Sequence, residues 1–346
     1  MSISKIAALI LISVFAPVTS TVDAQAVARG YWQTRFDDND DRVQLTFEDY
    51  DIHGRRSGMT NFGVAPSQLQ GVSRSQLADG DGPVRFSLVR DAGTFNFEGQ
   101  VYHGRGTGSF TFSPDPRFAQ QMVSRGYSRP SGEEQFLLAL HDMGYAVVDE
   151  LKSQGYYRPS IDDLITMGMH GARLDFVRGI GSLGYHLKDV DDLVEMRDHG
   201  VTPDFITGLR AAGYGKLTAE QLVELRDHGV TPKYISDLAS FGYNKLTSDE
   251  TRELRDHGVT ADYIRGLARA GYTRLSTDDL LTARDHGVTS DFAEGFKRMY
   301  PKVSLDDLVR LRDHGVTLSF AERVRGYDSG VTIDELVRRR DRGDRF

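Results

Sequence analysis

The chain of 346 residues has no cysteine and a single tryptophan, Trp32. The missing thiols exclude disulfides, thiolate metal sites, a cysteine nucleophile and a lipid-bearing cysteine behind a leader. Positive charge is in deficit, 42 Lys and Arg against 50 Asp and Glu, for a net charge of −8. That argues against generic nucleic-acid binding, which needs a net basic surface. After the first 26 residues no stretch approaches the ~18 apolar residues that a membrane-spanning helix requires. Signatures of catalysis are missing as well: there is no HExxH, no GxSxG, and no SxxK beyond the N-terminal segment.

Residues 1–26 read as a secretory signal peptide. Lys5 supplies a short positive region, Ile6 to Val18 is apolar, and Ala24-Gln25-Ala26 is a small-x-small cleavage site. The expected location is periplasmic or secreted, with cleavage after Ala26. An exported chain without disulfides has to be stable through packing alone.

The word Arg-Asp-His-Gly-Val-Thr begins at Arg197, Arg226, Arg255, Arg284 and Arg312, a spacing of 29, 29, 29 and 28 residues. A fixed period of this size marks a solenoid of stacked repeats. The unit from Thr202 to Gly229 reads as two short helices. Thr202 is an N-cap with Pro203 at the first helical position. Phe205, Ile206, Leu209 and Ala212 form one apolar face, and Gly213 stops the helix. Thr218 then caps a second helix, with Gln221 three residues on as a capping box. Leu222, Val223 and Leu225 are its stripe, Gly229 its stop, and Val230 a buried plug.

The same marks extend past the five clear copies. Second-helix stops are expected at Gly144, Gly171, Gly200, Gly229, Gly258, Gly287, Gly315 and Gly343. Tyrosines follow the first helix at Tyr127, Tyr156, Tyr185, Tyr214, Tyr243, Tyr272, Tyr300 and Tyr327. Second-helix caps fall at Ser131, Ser160, Asp189, Thr218, Thr247, Ser276, Ser304 and Thr332. These markers agree on eight helix pairs between residues 115 and 343. Helices of about ten residues are marginal alone, so the pairs must stack.

The repeated triplets are Arg197-Asp198-His199, Arg226-Asp227-His228, Arg255-Asp256-His257, Arg284-Asp285-His286 and Arg312-Asp313-His314. Arg and His suit the negative end of a helix; Asp does not, and needs a partner. The expected partner is a backbone N–H at the start of the following helix, or an Arg of an adjacent unit. For the histidines the leading role is C-capping or interface packing. Metal binding is disfavoured because packed helices stand about 10 Å apart, too far for neighbouring copies to share one ion. Since His titrates near neutrality, a pH-sensing role stays open.

Residues 29–113 carry a different period. Val43, Leu45 and Phe47 alternate with polar residues, as do Val84, Phe86 and Leu88, Phe95 and Phe97, and Phe110 and Phe112. This predicts an antiparallel meander, a small sandwich or a partly closed barrel, with Trp32 in its core. Residues 66–78 are expected to hold a short helix or a loop. Asp37, Asn39, Asp41 and Glu48 fall at calcium-loop positions, but Arg42 stands where the loop needs Gly, so an acidic hairpin turn is the stronger reading. Gly179, Gly181 and Gly184 spell GxGxxG without a preceding strand, which argues against a dinucleotide site. Arg338, Arg339, Arg340, Arg342 and Arg345 make the C-terminus locally basic, suited to capping the solenoid or to peripheral contact with an anionic envelope surface.

The fold class is thus α+β multidomain: a small antiparallel β domain (29–113) followed by an α-solenoid of about eight helix-pair repeats (115–343). Units of the form Gly-Val-Thr-Pro-Asp-Phe-Ile…Leu-Arg-Ala-Ala-Gly-Tyr…Leu-Arg-Asp-His resemble short helix-pair repeats of bacterial envelope proteins. Similar arrays are appended to membrane metallopeptidases of the BlaR/MecR-like antibiotic-sensor class. The resemblance covers residues 115–343 and implies an extracytoplasmic repeat module; the peptidase and its zinc motif are not in this sequence. The expected function is non-catalytic interaction, the repeat surface binding a protein or peptide partner, with no cofactor or metal. The alternative is a ligand-binding module whose β domain holds a small molecule, lipid or glycan.

Overall fold

A computed structural model describes residues 28–35, 42–50 and 56–344. The expected export signal, the acidic turn containing Asp37, Asn39 and Asp41, and Arg345 lie outside the described residues. The chain divides into two compact units, the first ending at Gly144 and the second beginning at Tyr145.

The first unit is built on seven strands: β1 (Ala28–Arg35), β2 (Val43–Tyr50), β3 (Arg56–Val64), β4 (Leu69–Gln70), β5 (Asp81–Arg90), β6 (Gly93–Tyr102) and β7 (Arg105–Pro114). They form one antiparallel sheet in the order β3-β2-β1-β7-β6-β5-β4. Alternation along the strands puts Trp32, Phe47, Phe86, Phe95, Phe97, Phe110 and Phe112 on one buried face. Phe47 on β2 is three strands from β6, roughly 14 Å across a flat sheet. Its ring centroid nevertheless lies 5.5 Å from those of both Phe95 and Phe97 on β6. The sheet therefore curls around its aromatic face, as a partly closed barrel does, and no second sheet is needed to cover it.

Trp32 lies against a glycine patch. A Cβ at Gly99, Gly106 or Gly108 would fall 2.7–2.9 Å from its ring atoms, so only glycine lets the indole settle there. Its Nε1 donates to the Glu98 carbonyl at 3.2 Å, which satisfies the buried N–H. Residues 66–78, expected as a short helix or a loop, hold a 3₁₀ turn (Pro66–Gln68), β4 and helix α1 (Arg74–Ala78). The β3 segment, Arg-Ser-Gly-Met-Thr-Asn-Phe-Gly-Val, lacks clear alternation and is a strand because it pairs along β2.

Two further helices, α2 (Pro116–Ser124) and α3 (Gly132–Leu140), group with the sheet. The reason is Phe136 of α3, whose ring sits 5.8 Å from Phe95, 6.4 Å from Phe110 and 5.5 Å from Phe112. The expected stop at Gly144 is displaced: the left-handed residue after α3 is Asp142, with φ of 60°.

The second unit holds seven helix pairs. The first helices are α4 (Tyr145–Gln154), α6 (Leu174–Ser182), α8 (Pro203–Ala211), α10 (Pro232–Ser240), α12 (Ala261–Arg269), α14 (Ser290–Met299) and α16 (Leu318–Tyr327). The second helices are α5 (Ile161–Met169), α7 (Val190–Asp198), α9 (Ala219–Asp227), α11 (Ser248–Asp256), α13 (Thr277–Asp285), α15 (Leu305–Asp313) and α17 (Ile333–Asp341). First helices pack on first helices, α4 on α6 through α14 on α16, and second on second, α5 on α7 through α15 on α17. The result is two parallel layers joined along a shared apolar interior.

Local chemistry fixes most of the boundaries. Ser160, Thr218, Thr247, Ser276 and Ser304 accept from the third N–H of their helices and complete capping boxes. Gly200, Gly213, Gly229 and their counterparts take positive φ at the stops. The tyrosine after the first helix ties one unit to the next: Tyr185, Tyr243, Tyr272 and Tyr300 donate to the carbonyls of Leu217, Leu275, Val303 and Val331, each just before the next unit's second-helix cap, at 2.7–3.1 Å. Burial pushes the Tyr272 hydroxyl up to about 12, so it stays a donor at any physiological pH.

The first layer closes through a notch. Gly179, Gly208, Gly266 and Gly295 each receive the first residue of the next first helix, Pro203, Pro232, Ser290 and Leu318. This accounts for two of the three glycines of the GxGxxG word: Gly179 is a notch and Gly184 a stop with φ of 82°. A Cβ at Gly208 would lie 2.6 Å from Pro232 Cγ, whereas one at Gly215 meets nothing within 4 Å. Gly208→Ala is therefore expected to destabilise the repeat unit by about 1–3 kcal/mol and Gly215→Ala to be nearly neutral; thermal melts of the two variants giving equal midpoints would refute the notch.

Candidate functional site

The repeated triplet sits at the C-terminal end of each second helix, and its three side chains do different work. The histidine is the C-cap residue of its helix, and it reaches to the aspartate of the following unit. His199 Nδ1 is 2.7 Å from Asp227, His228 2.7 Å from Asp256, His257 2.6 Å from Asp285 and His286 2.5 Å from Asp313. A carboxylate only accepts, so the imidazole Nδ1–H donates. The Asp partner is thus the preceding unit's histidine, rather than the backbone N–H or neighbouring Arg expected from sequence. The physical reason is register: stacked second helices end level with one another, so C-terminal residues of successive copies meet side by side.

The arginine closes its own unit. Arg197, Arg226, Arg255, Arg284 and Arg312 lie over the rings of Phe176, Phe205, Tyr234, Tyr263 and Phe292, 4.4–5.5 Å from the centroids. Each ring is the third residue of the first helix in the same pair, so the stack clamps the two layers together. Arg312 also donates to the Gly287 carbonyl at 2.6 Å, one of the exposed acceptors at a helix end.

Three members of the ladder escaped sequence reading. His170 joins Asp198 at 2.8 Å and His314 joins Asp341 at 2.8 Å, while Arg340 lies over Phe320 at 5.5 Å. Their sequences, Met169-His170-Gly171 and Arg340-Asp341-Arg342-Gly343, hold only part of the word. Spacing from the neighbouring copies was the signal that could have found them. The ladder ends by substitution: Met169 stands where an Asp would be, and Arg342 stands where a His would be.

The two layers differ in charge. Summing Asp, Glu, Lys and Arg, helices α5, α7, α9, α11 and α13 carry −2, −3, −2, −2 and −2. The first helices α6, α8, α10 and α14 are each neutral and α12 is +1. The second-layer carboxylates recur at i, i+4 and i+7, one helical face: Asp191, Glu195 and Asp198; Glu220, Glu224 and Asp227; Asp249, Glu253 and Asp256. Except for the half-buried Glu224 these are exposed. Arg252 crosses the face, 3.4 Å from Glu224 and 3.7 Å from Asp249.

The basic C-terminus is largely bound internally. Arg338, Arg339 and Arg342 converge on Glu335 at 3.0–3.4 Å, and Arg339 also reaches Asp328 at 3.2 Å. The arginines hold the Glu335 carboxyl below the usual range, Arg339 foremost. Among the described residues no group of three His, Asp or Glu side chains is placed to hold one metal ion, and no helix is long and apolar enough to cross a membrane.

No protein-family model, no curated protein and no solved structure matches this chain. The geometry of the junctions is therefore the ground for any functional reading. A double-mutant cycle on His199→Ala and Asp227→Ala is expected to show a favourable coupling in thermal stability; additive effects would remove that bond from the account. Arg226→Ala should cost about 0.5–1 kcal/mol, and in a Phe205→Leu background most of that loss should disappear.

Proposed function

We propose that the protein is a non-catalytic interaction protein of the periplasm or the extracellular space, whose repeat array binds a protein or peptide partner. One observation carries the reading: three successive second helices, α7, α9 and α11, turn rows of carboxylates outward, while the first layer is close to neutral. Stacking already uses the apolar stripes, the glycine notches, the tyrosine hydroxyls and the arginine planes. What the array offers outward is a regular acidic surface, and its electrostatic complement is a cationic segment of a partner protein. Regular spacing suits an extended segment that meets several units in succession.

The alternative, a β domain holding a small molecule, lipid or glycan, asks for room between Trp32 and the phenylalanine strands. Rings fill that interior: Trp32 and Phe86 stand 5.2 Å apart, Phe86 and Phe97 4.5 Å, Phe47 and Phe110 4.8 Å. The geometry favours the repeat surface.

Photo-crosslinking in the native envelope tests the proposal. A photoreactive side chain at Glu253, on the acidic face, is expected to yield discrete protein adducts that weaken as salt rises, and one at Ser236 on the first layer is not. Equal labelling at the two positions, or adducts indifferent to salt, would count against the acidic face as the binding surface.

A further inference from the structure

The histidines of the ladder are the feature that the stacking account leaves over. A junction between repeats needs a donor for the aspartate, and Arg, Lys or Asn would serve at any pH. The chain instead places an imidazole at six successive junctions: His170, His199, His228, His257, His286 and His314, each 2.5–2.8 Å from its aspartate. Histidine is the side chain whose ordinary titration falls near neutrality. These imidazoles are 39–42% exposed, so protons from solvent reach them.

We propose that the six His–Asp pairs act together as a proton-operated clamp, which tightens the stack of repeats as pH falls through the imidazole range and loosens it as pH rises. In the neutral state each junction is one Nδ1–H bond to a carboxylate. In the protonated state the same bond joins opposite charges, which is the stronger arrangement.

At His199 and His257 the surroundings favour the charged form. Around His199 stand Asp227 of α9 across the junction, and Glu195 and Asp198 of its own helix; Asp198 in turn holds His170 of α5. Around His257 stand Asp285 of α13, and Glu253 and Asp256 of its own helix. The cation nearest each turn is the next arginine, Arg226 beside Gly200 and Arg284 beside Gly258, and each is drawn over an aromatic ring. The hydrogen bond to Asp227 holds the His199 imidazole above its usual range, and Asp285 does the same for His257. A raised folded-state value means that the stabilisation is fully present below the unfolded value, about 6.5, and is lost as pH rises through the folded value.

Arrangement in series makes the effect matter. An exposed pair contributes little alone, but a repeat array is stable through its nearest-neighbour interfaces. Six of these carry the same His–Asp bond in the same geometry, so what one junction contributes is repeated along the array. The device is bounded, because Met169 and Arg342 end the row where a further Asp or His would continue it.

The test uses the full mature chain. Its thermal midpoint is expected to fall by several degrees between about pH 6 and about pH 8.5. A chain carrying His→Gln at all six positions keeps a neutral donor and should lose most of that slope. Because net negative charge also favours acid conditions, the comparison of slopes is the readout, not the slope of either protein. Imidazole titration by NMR on the unaltered chain covers the case in which the sixfold variant does not fold: His199 and His257 should titrate above the same residues in the urea-unfolded chain. A flat midpoint in the unaltered chain, an unchanged slope in the variant, or midpoints equal to the unfolded chain would each overturn the clamp.

Discussion

A nine-residue helix is not a stable object in water. Its nucleation cost is offset by too few hydrogen bonds, and an amphipathic stripe left open gains nothing from burial. Each helix of the second unit therefore exists because a copy of itself lies alongside. This constraint explains why the layers are segregated, first helix on first and second on second. Stripes at equivalent positions lie side by side, and repetition extends the packing down the array.

Once that burial is required, the rest of the unit serves to hold copies in register. The glycine notch sets how near two first helices approach, because Pro203 or Pro232 enters the space a Cβ would fill. The tyrosine hydroxyl, carried past a glycine stop, finds a carbonyl of the next unit and so measures the offset between them. The arginine stacked on a first-helix ring joins the layers, and the His–Asp bond joins the second helices. Each of these bonds is modest alone. They recur at most of the junctions, so specificity of register comes from their repetition.

Electrostatics follows from the same economy. Every second helix carries Asp or Glu in its first turn, where the helix dipole favours it, the junction puts an Asp at the end of all but α5, and on α7, α9 and α11 a third carboxylate lies between them. The acidic outer face is in part a by-product of good local helix chemistry, and the protein presents it over several units. In the first unit the logic is different. A single curled sheet encloses its aromatic rings by bringing distant strands together, and glycines opposite Trp32 make room for the largest ring.

Much of this was legible from the residues. Caps, stops and the period gave the helices of residues 116–341, since those signals act within one turn of the backbone. The strands around Val43, Phe86, Phe95 and Phe110 showed in their alternation. Other features were not visible locally. β3 is a strand through pairing with β2, and Asp142 takes the left-handed turn that Gly144 was expected to make. The partner of each Asp is a histidine rather than a backbone N–H or an arginine, and sequence order gives no information about which side chains end level across a stack. His170, Asp341 and Arg340 stand in incomplete words, although their position in the period is intact.

What the sequence determined by itself is the periodic grammar: where each helix starts and stops, which side is apolar, and which face carries carboxylates, because all of these depend on neighbours within a few residues. What the tertiary structure alone decided is who meets whom. Residues 28 apart become a hydrogen-bonded pair, a phenylalanine of α3 joins the sheet's aromatic core, and rings three strands apart touch. Those contacts depend on lateral packing and curl, which arise only when the whole buried surface is assembled at once.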